Sequence, residues 1–408
     1  MADKVAGIDV HKKVLMVVVI DARAPESKPE RRRFTTMPGE LRRLSTWFRE
    51  QGVDEAVMES TAQYWRSVWL ELEPHMRLHL AQAFSNRAPR GRKHDFKDAE
   101  RLVRRLIAQE LILSFVPDEE QRIWRNLTRM KQQLIRDRVR LQSQIECLLE
   151  EMRIKLSVVV SDLLGSSGLR ILHALAQGET DAKSLASLGD DRLKCSKEQL
   201  IEALTGRSQP MHRQMLALQL ERLRLLDEQI AKLNNLIAQA LKPHQDAIIR
   251  LAEVPGLGID SAQQIIAEVG VTASTFSSAA ELTSWVGTCP GKEESAEENS
   301  SSRSAKGNKY MRRVLNQAAH AAAKSKGTHF QGVFRRLLPR LGYQSAVWAI
   351  AHRLCRLVWK ILHEGIRYIE QSVEYEPKLL IQRTQNLARQ LRKFAYNVQI
   401  TPANATPA

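Results

Sequence analysis

Long apolar runs are missing from this sequence, and cysteine is scarce. No stretch approaches the roughly 20 apolar residues that a membrane-spanning helix needs, and Met1-Ala-Asp-Lys lacks the apolar segment of a secretory signal. The four cysteines, Cys147, Cys195, Cys289 and Cys355, stand far apart and form no C-x-x-C pair. We therefore expect a cytoplasmic protein with reduced thiols and with neither a disulfide framework nor a zinc site.

Aromatic residues are also few, and basic residues outnumber acidic ones. Aromatic side chains make up 5 % of the chain, which disfavours a single-strand platform of stacked rings. Lysine and arginine number 62 against 46 aspartates and glutamates, for a net charge of +16. That excess predicts a polyanionic partner, with nucleic acid as the first candidate and no role at a membrane surface.

The order of predicted elements divides the chain into three domains. A chain of 408 residues allows two or three domains. Residues 1–108 show strands first and then alternating helices and strands, which predicts an α/β domain with a mixed sheet. Residues 109–242 predict a coiled-coil region with a small helical insertion at 154–209. Residues 243–408 predict an all-α domain with a disordered tail at 401–408.

Two segments of the middle domain carry apolar residues every seven positions. They are Pro117–Arg153 and Met211–Leu241, and the repeating positions are Leu127, Leu134, Leu141 and Leu148 in the first and Leu216, Leu223, Ile230 and Ile237 in the second. Helices with such stripes pack most simply as an antiparallel coiled coil, within one chain or between chains. We therefore predict that these helices also support oligomerisation.

Four carboxylates of the first domain form the candidate catalytic and metal-binding set. Asp9 interrupts an apolar strand and Glu59 ends another, while Asp95 and Asp98 share one face at the start of a helix. Each has an ordinary interpretation by itself, as a solvent-facing charge, an N-cap or a first-turn acid. Together, on a ribonuclease H-like order of elements, they suit Mg²⁺ and phosphodiester chemistry. The histidines show no ligand spacing, and His11 is predicted to be a turn residue, with contact to the scissile phosphate as the alternative.

Basic residues gather at two places, beside Asp95 and at the end of a serine-rich segment, 293–309. The polar composition of that segment alone predicts a disordered linker. We predict that both places bind nucleic-acid phosphates. The residues concerned are Arg90, Arg92 and Lys93 at the first place, and Arg303, Lys306, Asn308, Lys309, Arg312 and Arg313 at the second.

Several short motifs, taken together, resemble the DEDD insertion-sequence transposases, a group that includes the Piv/MooV DNA invertases. The motifs of the first domain are Gly7-Ile-Asp-Val-His-Lys12, Met58-Glu-Ser60 and Gly91-Arg-Lys-His-Asp-Phe-Lys-Asp-Ala99. Those of the last domain are Gly287-Thr-Cys-Pro-Gly-Lys-Glu-Glu-Ser-Ala296 and Lys306-Gly-Asn-Lys-Tyr-Met-Arg312. They occur in the family's order over residues 4–330. Two places depart from relatives: Ser300-Ser-Ser-Arg-Ser304 replaces a more basic, glycine-containing stretch, and His94 stands where relatives often have threonine.

The resemblance implies a function and a set of partners. Such enzymes of bacterial mobile elements excise and insert DNA, and their N-terminal domain is similar to the RuvC junction resolvase. It implies Mg²⁺ on Asp9, Glu59, Asp95 and Asp98, and Ser295 as the nucleophile. It also implies donor and target DNA as substrates, a bridge RNA encoded by the element as guide, and a tetramer that is a dimer of dimers at the bacterial nucleoid.

Two other functions are compatible with the residues. One is a metal-dependent junction resolvase that uses water as the nucleophile and needs no serine. The other is a non-catalytic RNA- or DNA-binding protein with a helical dimerisation stalk. Clustered carboxylates disfavour the second, because negative charge weakens the binding of a polyanion.

Overall fold

Two structural units, Met1–Asp118 and Glu119–Ala408, make up the chain. The computed structural model describes residues 3–24, 26, 28–59, 62–83, 95–289, 293–295, 298–301, 304, 306–370, 385 and 389. Within these residues, no helix combines the length and the apolar character needed to cross a membrane.

A six-stranded mixed sheet forms the centre of the first unit. Its strands are β1 Lys4–Val10, β2 Val14–Asp21, β3 Glu30–Thr35, β4 Val53–Glu59, β5 Arg77–Ala81 and β6 Leu113–Ser114, arranged β3-β2-β1-β4-β5-β6. The first three strands pair antiparallel, β4 and β5 run parallel to β1, and β6 is antiparallel to β5. The predicted mixed sheet is confirmed, and its strand order is compatible with a ribonuclease H-like fold.

Helices cover both faces of this sheet, which explains why β1 and β2 read as nearly unbroken apolar runs. The helices are α1 Pro38–Gln51, α2 Trp65–Leu72 and α3 Asp95–Ile107. One face packs Ile8 and Met58 against Leu44 and Phe48 of α1. The other face packs β1 and β2 against α3. Strand β3 lies at the sheet edge, as the polar sequence Arg31-Arg-Arg predicts.

Gly7 allows α3 to pack directly on β1. A Cβ atom at this position would lie 2.2 Å from the Ala99 carbonyl oxygen and 2.6 Å from Val103 Cγ2. Because Ala99 is in the second turn of α3, the same close approach fixes the first turn of that helix, with Asp95 and Asp98, beside β1.

Replacing Gly7 with alanine should therefore displace α3. We expect Gly7→Ala to lower the free energy of unfolding by about 1–3 kcal/mol, the usual cost of inserting a methyl into a packed core. Urea unfolding measures this directly. The matched control is Gly39→Ala in α1, where a Cβ meets nothing within 4 Å and where alanine favours the helix. Equal stability of the two variants would contradict the packing argument.

The described residues of the second unit form helices and one short hairpin. Its elements are α4 Glu119–Glu151, α5 Leu156–Val159, α6 Ser166–Gln177, α7 Ala182–Ser187, α8 Lys197–Leu204, α9 Pro210–Ala240, a 3₁₀ turn Lys242–His244, α10 Gln245–Ala252, α11 Ile259–Val269, α12 Ala279–Val286, β7 Glu293–Ser295, β8 Glu298–Ser301, α13 Lys309–Lys324, α14 His329–Leu341 and α15 Tyr343–His363. The predicted helical character of this region is confirmed.

Helices α4 and α9 are the two long helices that the seven-residue repeats predict, and they pack on each other. Leu141 and Leu148 of α4 share a core with Leu216 and Leu223 of α9, and the insertion α5–α8 contributes to the same core. The insertion thus covers part of the apolar stripes within one chain. The coiled-coil geometry and the oligomer stay predictions.

Helices α10 through α15 contribute to a second core. Small side chains on α13, among them Ala318 and Ala322, let neighbouring backbone approach closely. A Cβ on Gly256 would lie 2.3 Å from the Ala318 carbonyl oxygen, and the φ angle of Gly256 is +91°. The Pro255-Gly-x-Gly turn before α11 therefore serves packing against α13.

Candidate metal and catalytic site

Asp9 and Glu59 lie side by side at the ends of two parallel strands. The register pairs Ile8 of β1 with Met58 of β4, so the next residue on each strand is a carboxylate. Ile8 and Met58 face the core with α1, and strand side chains alternate between the two faces. Asp9 and Glu59 therefore face α3, and both are half-buried.

The first turn of α3 brings Asp95 and Asp98 to the same face. Both belong to the acidic first turn of the helix, where the helix dipole stabilises negative charge. One oxygen of Asp9, one of Asp95 and one nitrogen of His11 all lie within 4.8 Å of one another. Asp98 is close enough to Asp9 to raise its pKa and forms an ion pair with Arg101 at 3.7 Å.

Burial is the largest influence on the pKa of the Asp9 carboxyl. It raises the pKa of Asp9, and the negative charges of Asp98 and Asp95 raise it further, against the opposing influence of His11. Ionised Asp9 is therefore held at an energetic cost in the metal-free protein. A bound cation would offset that cost.

His11 lies beside these carboxylates, and it also occupies the turn in which the sequence places it. Its backbone N–H donates to the Val14 carbonyl oxygen at 3.0 Å, as a turn residue would. Its Nε2 atom lies 3.1 Å from Asp9 Oδ2 and 4.0 Å from Asp95 Oδ1. The sequence signal was the Asp-x-His spacing at the strand end, which is short and common.

The serine-rich segment contains a short hairpin, β7–β8, which we call the serine hairpin. Its register pairs Ser295 with Glu298 and Glu293 with Ser301. The described residues thus form paired strands where composition predicted a linker.

The predicted nucleic-acid-binding residues differ in their surroundings. Lys306 and Lys309 are exposed, and Arg313 is half-buried. Asn308 and Arg312 are held by contacts within the second unit: Asn308 caps α13, and Arg312 Nη2 donates to Ser304 Oγ at 3.1 Å. The remaining four, Arg90, Arg92, Lys93 and Arg303, lie outside the described residues.

Comparison with known proteins gives two family matches and one curated relative. A family model described as a transposase, DEDD_Tnp_IS110, matches residues 6–154. A second, described as the transposase IS116/IS110/IS902 family, matches residues 249–334. A Pseudomonas aeruginosa protein described as a probable family 20 transposase is 24 % identical over 374 residues, which cover 89 % of this chain and 97 % of the relative. The first match spans all four carboxylates, and the second spans the serine hairpin.

Proposed function

This chain belongs to the IS110-type insertion-sequence transposases, and from that premise we propose that it cleaves DNA with Ser295 at a magnesium-dependent carboxylate site. The family implies DNA as the substrate and both strand cleavage and strand transfer as the reaction. The observation that carries the finer proposal is the convergence of Asp9, His11 and Asp95 donor atoms within 4.8 Å beside Glu59 and Asp98.

The chemistry of these donors fits a divalent cation. Four carboxylates supply hard oxygen ligands, which Mg²⁺ prefers, and the raised pKa of Asp9 reflects burial and the negative charges around it. We propose Asp9, Glu59, Asp95 and Asp98 as the metal-binding residues. When bound, Mg²⁺ would make the attacking oxygen more nucleophilic and would stabilise the negative charge on the leaving oxygen of the phosphodiester.

The chain's own residues would then orient the reacting groups. His11 makes its hydrogen bond to Asp9 and thereby fixes the direction of that carboxylate. Ser295 Oγ would give up its proton and attack phosphorus to form an O–P bond to the DNA. The bond from phosphorus to a deoxyribose oxygen would break, and that oxygen would take up a proton. A serine hydroxyl is weak at its free pKa, so it needs activation by a base or a metal.

The domain assignment and the further partners are proposals of the same kind. We propose a RuvC-like domain at 1–108, a coiled-coil region at 109–242 and a helical transposase domain at 243–408. The resemblance to the DEDD group supports a bridge RNA as guide and a tetrameric assembly on donor and target DNA. The net charge of +16 supports binding to nucleic acid in general.

The experiment that tests the proposed chemistry traps a covalent intermediate. A nicked or suicide DNA substrate is incubated with the full chain and Mg²⁺, and the protein–DNA adduct is digested and mapped by mass spectrometry. We expect a nucleotide on a peptide that contains Ser295. Efficient cleavage without any adduct would instead favour the resolvase-like reaction with water.

Binding to DNA should weaken steeply with salt. Each neutralised duplex phosphate adds about 0.9 to the slope of log affinity against log salt concentration. Lys309 is exposed at the start of α13, and we expect Lys309→Ala to reduce the slope by about that amount. Fluorescence anisotropy over a salt series measures it. The control Lys183→Ala removes an equal charge from α7 and should leave the slope unchanged; equal slopes in both variants would remove Lys309 from the interface.

A further inference from the structure

The two flanks of the segment that carries Ser295 meet within the second unit, at a place that we call the neck. The neck consists of Trp285–Gly287 on the outgoing side and Gly307–Asn308 on the returning side. The Asn308 N–H donates to the Trp285 carbonyl oxygen at 3.1 Å. A Cβ on Gly307 would lie 2.1 Å from the Val286 carbonyl oxygen, so the two backbones touch where only glycine fits.

Arg312 contacts the chain both before and after the serine hairpin through one guanidinium group. It donates to the Gly287 carbonyl oxygen and to Ser304 Oγ, the latter at 3.1 Å. The same group lies over the Trp348 ring, 4.5 Å from its centroid. Partial burial lowers the pKa of Arg312. These two hydrogen bonds therefore tie the backbone at Gly287 to the side chain of Ser304.

Asn308 holds the returning side through both ends of its amide. Its Oδ1 accepts hydrogen bonds from the N–H groups of Tyr310 and Met311, at 2.9 and 3.0 Å, and so caps α13. Its Nδ2 donates to Glu268 Oε2 at 3.0 Å. One side chain therefore fixes the direction in which the returning chain enters the helix.

Glu268 is a charged group with little access to solvent. Its side chain is 3 % exposed, and Arg129 binds it with two parallel hydrogen bonds of 2.7 and 2.8 Å. Bidentate pairs of this kind fix orientation as well as charge. The Arg129 guanidinium also lies 4.3 Å from the centroid of the Tyr310 ring in the first turn of α13.

Helix α4 also binds the end of α11, the helix that carries Glu268. Arg125 Nε and Gln121 Nε2, both on α4, donate to the Ala267 carbonyl oxygen at 3.1 and 3.2 Å. These bonds satisfy a carbonyl at the C-terminal end of α11, where an α-helix leaves acceptors without partners. The contacts lead from α4 through α11 to Asn308, so the neck is tied to regular structure.

We propose that Asn308, Glu268, Arg129 and Arg312 are positioning residues for the serine hairpin, because they fix the chain before it at Gly287 and after it at Ser304 and Asn308. The inference rests on the proposed function, in which Ser295 attacks DNA. A reacting group that is misplaced by about 1 Å can lose on the order of 10²-fold in rate. The structure thus assigns to Asn308 and Arg312 a role in the rate of cleavage that is separate from binding DNA phosphates.

The first test is Asn308→Ser, which keeps a good N-cap but is too short to reach Glu268. We expect the single-turnover rate of strand cleavage at saturating DNA to fall by about 10-fold to 10²-fold, with unchanged DNA affinity. Asn308→Asp keeps the cap and places a like charge beside Glu268, so its rate should fall further. The control Ser196→Ala removes the cap of α8 in the insertion and should leave the rate unchanged, although it lowers thermal stability.

The second test separates positioning from phosphate binding at Arg312. Arg312→Lys keeps the positive charge but cannot make both hydrogen bonds and the ring contact. We expect it to slow cleavage as much as Arg312→Gln does, with wild-type DNA affinity and salt dependence in both variants. A lysine variant with the wild-type rate, or a glutamine variant with a lower salt slope, would overturn the proposal.

The outcomes distinguish this inference from the proposed function. Wild-type cleavage rates in Asn308→Ser and Asn308→Asp, with the adduct still on Ser295, would overturn the positioning role alone. An adduct on another residue would overturn Ser295 as the nucleophile. Slower cleavage in the Asn308 variants would still support the positioning role if that other residue belongs to the hairpin, and an adduct outside the hairpin would overturn both proposals.

Discussion

Asp9→Asn should abolish DNA cleavage and, in the metal-free protein, leave the fold more stable than the wild type. Burial and the charges of Asp98 and Asp95 raise the pKa of Asp9, so the folded protein disfavours the ionised carboxylate. Asparagine keeps the shape of the side chain and removes the charge. Loss of a metal ligand costs several kcal/mol in the transition state, on the order of 10³-fold or more in rate.

The sign of the stability effect follows from linkage. A carboxyl whose pKa is raised in the folded state destabilises that state at every pH above the ordinary carboxyl range, and the penalty disappears as pH falls below it. The gain from Asp9→Asn should therefore be present near neutral pH and be lost in acid. Added Mg²⁺ should reverse the order, because a ligand at about 100 times its dissociation constant stabilises the folded wild type by about 2.7 kcal/mol.

Thermal unfolding with EDTA and with Mg²⁺, together with a cleavage assay, measures these effects. The control is Asp54→Asn, which removes an exposed carboxylate from β4 and should change neither stability nor cleavage. Cleavage by Asp9→Asn within tenfold of the wild type would remove Asp9 from the site. A lower melting temperature without metal would show that Asp9 is stabilising rather than strained.

The sequence predicts the fold of the first unit well because its strands are buried on both faces. Apolar runs at β1 and β2, and a polar run at β3, mark central strands and an edge strand. Gly7 shows where this reasoning ends. Its role depends on the Ala99 carbonyl oxygen, which is far away in the chain, so no local pattern indicates that α3 packs there.

The site is less predictable than the fold because several contacts of its side chains depend on the tertiary structure. Asp9 and Glu59 follow from strand order, and Asp95 and Asp98 from helix spacing, but His11 joins them only through the turn after β1. Asn308 shows the same limitation, since it lies 40 residues from its partner Glu268. In the sequence, Asn308 is a polar residue in a basic segment, whereas in the structure its amide donates a hydrogen bond to the buried carboxylate of Glu268.

Ser295→Ala should lose both the covalent adduct and strand cleavage while it keeps metal binding and DNA binding. The variant lacks only Oγ, and the carboxylates that would hold the metal belong to other elements. Removal of a nucleophile commonly lowers the rate by about 10⁴-fold or more, because the remaining groups cannot form the intermediate. Single-turnover cleavage and mass-spectrometric mapping check the rate and the adduct together.

Neighbouring serines make the controls essential to this prediction. Ser301 on β8 pairs with Glu293 on β7, and Glu293 lies two residues before Ser295 on the same strand. Ser300 is adjacent to Ser301 in the chain. Ser300→Ala and Ser301→Ala should keep the adduct and most of the rate, because the proposed reaction uses the Oγ of Ser295. An adduct that disappears in one of these variants instead would move the nucleophile to the other strand of the hairpin. Full strand cleavage by Ser295→Ala would leave water as the attacking group, and the carboxylate site would then act alone, as in a junction resolvase.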